Sequence, residues 1–379
     1  MGDIVPYVIA VSDDVIEDLR ERLARTRWPD QLPGTTWELG TDRDYLQDLC
    51  EHWLTDYDWR RWEAELNRHP QYTTGIDGEQ IHFLHVRSPH ADALPLIMTH
   101  GWPGSIVEFL DVIEPLTDPT AHGGDAADAF HVVCPSIPGF GFSGPTVTPD
   151  VTPRRVARMH AELMAQLGYD RYVAQGGDWG AVITAWLGAD HADHVAGIHL
   201  NMVVAPPTDL DDLTDAERAA LERRRRFRAE GTGYQEIQGT KPQSLAYGLT
   251  DSPAGLAGWI VEKFREWSDC GGDLTSAIDR DVLLTNLTIY WVTETAGSSA
   301  RIYHAHRHAP ERDQFPARVE VPTGCSIFPG ENSQPSRRWA EARYNVTCWS
   351  EHTKGGHFAA MEQPAALVDD LRECFRPLR

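Results

Sequence analysis

Gly176-Gly177-Asp178-Trp179-Gly180 is the stretch of this chain best suited to covalent chemistry. Glycines on both sides of a single carboxylate let the backbone turn sharply enough to present that side chain to a substrate, as in a nucleophile elbow. The identity of the nucleophile then limits the electrophile. A carboxylate that attacked an acyl carbon would make only an anhydride, whereas one that attacks an sp³ carbon makes an ordinary ester that water can cleave later. Asp178 therefore points to an epoxide or an alkyl halide. Turnover of the ester also needs a base, an acid to orient that base, and donors for the developing oxyanion.

Chain order and loop context nominate these groups. Lys354-Gly355-Gly356-His357-Phe358 sets His357 on a Gly-Gly turn after a strand-like segment, which singles it out among 17 histidines. Glu331 lies just past the strand ending Phe328-Pro329-Gly330, while Glu341 and Glu351 fall in helical or polar surface surroundings. Glu331 is thus the expected acceptor of the His357 Nδ1 proton. Thr99-His100-Gly101-Trp102-Pro103-Gly104-Ser105 follows the strand Leu94 to Met98. The backbone N–H groups of Trp102 and Trp179 are expected to form the oxyanion hole, leaving both indoles free to line the substrate pocket.

These loops need a scaffold, and the patterns supply one. Residues from about Ser12 to Pro70 read as helices rich in tryptophan, with Ser12 capping the first and Thr41-Asp42 starting the second. A two-residue period then marks a hairpin, Gln71 to Thr74 and Gln80 to Val86, around the turn Asp77-Gly78. Apolar runs at Leu94 to Met98, Phe130 to Cys134, Tyr172 to Ala174 and Ile198 to Met202 alternate with helical stretches, the signature of a mostly parallel sheet buried on both faces. A long helical segment follows, and strand signals return at Val321 to Phe328 and Val346 to Trp349, before a last helix from Ala365 to Phe375. The expectation is an α/β fold of the α/β-hydrolase type. It divides into an N-terminal helical clasp (1–70) covering the core, a first part of the core (71–202), a helical lid (203–310) and a second part of the core (311–379).

Composition narrows the partners. Lys plus Arg 34 against Asp plus Glu 57 gives a net charge of −23, which opposes nucleic acid and anionic membranes. The one basic run, Arg223-Arg224-Arg225-Arg226, reads as a solvated helix face. Six scattered cysteines without paired or metal-ligand spacing suggest reduced thiols in a cytoplasmic enzyme with no metal and no cofactor. No membrane-spanning run or targeting segment is evident.

Taken together, Trp28-Pro29-Asp30, His100-Gly101-Trp102-Pro103-Gly104-Ser105, Gly177-Asp178-Trp179-Gly180, Gly233-Tyr234-Gln235-Glu236-Ile237-Gln238, Phe328-Pro329-Gly330-Glu331 and Gly355-Gly356-His357-Phe358-Ala359-Ala360 resemble the microsomal-type epoxide hydrolases over nearly the whole chain. The resemblance implies that lid tyrosines act as acids, and the matching positions among 11 tyrosines are Tyr234 and Tyr303. A phenol O–H, with an ordinary pKa of about 10, can bond and then protonate the basic oxygen of an opening epoxide. The expectation is a member without the N-terminal anchor of the mammalian ones, similar to the soluble bacterial and fungal members, which serve detoxification or natural-product pathways. The expected partner is a small-molecule epoxide, with a homodimer as the one assembly considered. The alternatives are a haloalkane-type dehalogenase, with Trp102 and Trp179 indoles on the halide, and a catalytically silent ligand-binding relative.

Overall fold

The computed structural model describes residues 2–379. Nine strands form one sheet: β1 Val5–Tyr7, β2 Gln71–Ile76, β3 Glu79–Val86, β4 Leu94–Thr99, β5 Phe130–Pro135, β6 Tyr172–Gly176, β7 Val195–Leu200, β8 Val319–Ile327 and β9 Tyr344–Glu351. Their spatial order is β1-β2-β3-β5-β4-β6-β7-β8-β9. The first three pair antiparallel, as does β3 with β5, and every pairing beyond is parallel. The β2–β3 hairpin turns where the sequence places it, because Asp77 (φ 51°) and Gly78 (φ 82°) both adopt the left-handed backbone that a two-residue turn requires. β1 was not anticipated; three residues containing Pro6 carry no periodic signal.

This topology explains why distant segments converge. β4 and β6 are neighbours with Thr99 opposite Gly176, so the loops that leave them emerge side by side. β8 and β9 are likewise paired up to Ile327 and Glu351, which brings the loops carrying Glu331 and His357 together. All four loops leave the carboxyl ends of parallel strands, the edge at which open α/β sheets build their sites.

Between β7 and β8 the chain is helical, including Asp215–Arg226, Gly233–Thr240, Pro253–Trp267, Arg280–Val292 and Ala296–His308. The N-terminal helices Asp13–Ala24 and Arg43–Thr55 form where the sequence places them, although the Ser12 side chain makes no capping bond. They lie chiefly on the lid: Trp53 Nε1 donates to Thr288 Oγ1 at 3.0 Å, Tyr57 bonds Thr285 Oγ1 at 3.0 Å, and His52 pairs with Asp281 at 2.7 Å. Trp53 and Tyr57 thus meet helix Arg280–Val292, and the Trp37 ring lies under Arg265 of helix Pro253–Trp267.

The expectation of reduced thiols is corrected at one pair. Cys348 on β9 and Cys374 on the last helix, Pro364–Phe375, form a disulfide with 5.5 Å between Cα atoms; Cys50, Cys134, Cys270 and Cys325 are free and buried. The two partners stand 26 residues apart and meet only because the helix packs back on the strand. Among the described residues, no helix is long and apolar enough to cross a membrane, and no cluster of His, Cys, Asp and Glu could hold a metal ion.

Candidate active site

Asp178 begins helix Asp178–Asp190 with φ 46°, a left-handed conformation that costs a non-glycine residue free energy and is tolerated where the surroundings enforce it. The enforcement is steric. A Cβ at Gly180 would lie 1.9 Å from the Thr99 carbonyl oxygen, and one at Gly101 would lie 2.3 Å from Asp178 Cβ and Oδ1. Only glycine lets the elbow and the β4 loop touch. As a result the Trp102 amide donates to Asp178 Oδ1 at 2.8 Å. The Trp179 amide lies in the first turn of its helix, where N–H groups have no carbonyl of a preceding turn to bond.

His357 and Glu331 complete a line with the elbow. His357 Nδ1 lies 2.8 Å from Glu331 Oε2, and Nε2 lies 3.5 Å from Asp178 Oδ2. Burial alone would lower the His357 pKa, but the adjacent Glu331 and Asp178 carboxylates outweigh it and hold the imidazole well above its ordinary value. The base loop is fixed from two sides. The His357 amide donates to the Trp267 carbonyl at 2.9 Å, and Glu362 accepts from the Phe358 amide at 3.0 Å and the Asp269 amide at 2.7 Å.

Tyr234 and Tyr303 come from helices Gly233–Thr240 and Ala296–His308, and both are buried. The Tyr234 ring stacks on Trp102 with centroids 5.1 Å apart, Tyr303 stands edge-on to Trp179 at 4.7 Å, and the two phenol rings are 5.7 Å apart. Gln235 Nε2 donates to the Tyr234 hydroxyl oxygen at 2.8 Å, which leaves the phenolic proton free to be given elsewhere. Burial first, and then nearby negative charge, raises both phenols above their ordinary value, so they stay O–H donors at neutral pH.

A cavity of about 490 Å³ joins these groups, within the usual range for small-molecule sites. All of the residues expected at the site except Trp102 line it directly, and Trp102 reaches it through Tyr234 and its bond to Asp178. Sequence reasoning missed three contributors. Trp267 lines the cavity and holds the His357 loop. Glu108, three residues after Ser105, has its carboxyl beside the Gly101 backbone, and burial pushes its pKa up to about 8. Arg224 lines the cavity instead of the solvated face expected for its run. Only Glu108 had a signal, the Ser-x-x-Glu spacing of a helix start.

Comparisons with known proteins place the chain among its relatives. The family described as "Epoxide hydrolase N terminus" matches residues 4–109, and "alpha/beta hydrolase fold" matches residues 95–236. The chain is similar to the Stigmatella aurantiaca protein named "Putative epoxide hydrolase", at 49% identity over 99% of this chain and 86% of that protein. It is also similar to "Epoxide hydrolase 1" of Sus scrofa, at 34% identity over 97% of this chain and 87% of the other. Among solved structures, the Aspergillus niger epoxide hydrolase superposes with a TM-score of 0.89 at 31% identity, covering 100% of this chain and 97% of the other. With the relatives aligned over nearly its full length and the elbow, base and lid assembled on one cavity, the chain belongs to the epoxide hydrolases of the α/β-hydrolase fold.

Proposed function

We propose that this enzyme converts an epoxide to a vicinal diol in two steps through an ester on Asp178. Asp178 Oδ2 attacks one oxirane carbon, the carbon–oxygen bond breaks, and the leaving oxygen takes a proton from Tyr234 or Tyr303. Water, deprotonated by His357, then attacks the Asp178 carbonyl carbon. The Trp102 and Trp179 amides hold the oxyanion; on its collapse the alkoxide leaves with the proton that His357 took from water and becomes the second hydroxyl, and the proton on the released Asp178 carboxyl returns to the tyrosinate. The single observation that carries the reading is the placement of two buried phenols on Trp102 and Trp179, the residues that flank the Asp178 carboxylate.

The order of events supports the assignment of the base. In the free enzyme the Asp178 charge favours protonated His357. Esterification removes that charge, so the pKa falls and the imidazole is released to act as a base in the step that needs one.

Halide displacement is the second reading, favoured by the indole N–H groups of Trp179 and Trp267, both buried without a hydrogen-bond partner. The tyrosines separate the two readings because a halide leaves without a proton. A Tyr234→Phe, Tyr303→Phe double variant should lose roughly 10²-fold or more in kcat for styrene oxide and keep any turnover of haloalkanes. Epoxide turnover at the wild-type rate would refute the acid role of the phenols. Detoxification and a step in natural-product synthesis would each employ this reaction in the cytoplasm.

A further inference from the structure

Helix Asp215–Arg226 and the turn after it present Ala220, Leu221, Arg224, Phe227 and Arg228 to the cavity, a stripe at helical spacing. A wholly apolar substrate would call for apolar residues throughout. Leu221 and Phe227 meet that demand, and Arg224 between them does not.

The other arginines nearby are all engaged. Arg223 donates to Gln334 at 2.8 Å, Arg225 pairs with Glu222 at 2.8 Å, Arg226 with Glu230 at 3.6 Å, and Arg307 with Glu236 at 2.7 Å. Arg224 and Arg228, among the described residues, meet no carboxylate at ion-pairing distance, in a chain with 57 acidic residues against 34 basic ones. Burial, and then the positive charge of Arg228, pulls the Arg224 guanidinium below its ordinary value. Solvation at a pocket mouth accounts for Arg228, which is exposed, but not for half-buried Arg224. A guanidinium withdrawn from water beside a like charge is unfavourable until an anion arrives.

We infer that Arg224 and Arg228 form a carboxylate-binding subsite in the active-site cavity, and that the preferred substrate is an epoxide whose apolar body carries a carboxylate remote from the oxirane. The guanidinium fork suits a carboxylate in a bidentate arrangement. Leu221 and Phe227 cover the intervening chain, while the aromatic end with Tyr234 and Tyr303 receives the oxirane. The inference rests on the epoxide hydrolase reading of Asp178 and adds the substrate class.

The test compares terminal epoxides of increasing chain length that end in a carboxylate with the matched primary amides, which are neutral and nearly isosteric. In the wild type, kcat/KM for the best carboxylate should exceed that of its amide by at least roughly tenfold, the value of one hydrogen bond to a charged group. The Arg224→Gln, Arg228→Gln variant should bring that ratio towards one, mainly through KM. Amides turned over as well as carboxylates at every length, or a ratio that survives in the variant, would overturn the subsite while leaving epoxide hydrolysis intact. Absence of turnover for carboxylates, amides and styrene oxide alike would remove the epoxide reading and the subsite with it. The wild-type ratio needs no variant, so a variant that misfolds does not shield the inference.

Discussion

At the scale of single residues, the site is governed by which charges face one another. His357 lies between Glu331 and Asp178, and each carboxylate favours the imidazolium. Replacing Asp178 by Asn removes one charge at nearly constant volume and mimics the neutral ester. The expected outcome is a lower His357 pKa in Asp178→Asn than in the wild type, measured by NMR titration of the imidazole. An unchanged titration would contradict the idea that ester formation releases the base. The pH sign follows: hydrolysis of the ester should speed up as pH rises through the lowered pKa, since only the neutral imidazole accepts a proton from water. Asp178, His357 and Glu331 were legible in the sequence because glycine turns and chain order announce them. Arg224 was not, because which side of a helix faces a cavity depends on tertiary packing, and four consecutive arginines read alike.

At the scale of elements, the oxyanion loop owes its position to the lid. Asn286 Nδ2 donates to the Pro103 carbonyl at 2.8 Å and the Tyr290 hydroxyl to the Gly104 carbonyl at 2.9 Å, both from helix Arg280–Val292. The same helix takes Trp53 and Tyr57 from the N-terminal segment. A chain of contacts therefore runs from the N-terminal helices through the lid to the amide that bonds Asp178. Asn286→Leu keeps most of the side-chain volume and leaves the Pro103 carbonyl without its partner, a cost of about 1–3 kcal/mol. Thermal unfolding should report that loss, and kcat should fall more than KM rises, because a displaced Trp102 amide weakens stabilisation of the oxyanion. Wild-type kcat in this variant would show that the loop is held without the lid. The helices and strands themselves were readable from periodicity, with β1 the exception. What they pack against was not, since an apolar helical face does not reveal its partner.

At the scale of the whole molecule, the sheet and its last helix are tied by Cys348–Cys374, which closes a loop of 26 residues. In the chain-entropy account a loop of that length contributes about 3.5 kcal/mol by restricting the unfolded chain. A Cys348→Ser, Cys374→Ser variant should lose several degrees in Tm under non-reducing conditions; an unchanged midpoint would mean that packing alone holds the helix to the strand. The fold class was visible in the sequence as a hairpin followed by alternating strands and helices, whereas this cross-link joins residues whose spacing carries no signal. In the proposed mechanism the sheet, lid and N-terminal helices all serve one event, formation of a covalent ester at Asp178. Single-turnover hydrolysis of an epoxide in ¹⁸O water, with enzyme in excess, tests it most directly. The account predicts label in the Asp178 carboxylate and an unlabelled diol after the first turnover; a labelled diol with Asp178 unlabelled would contradict it.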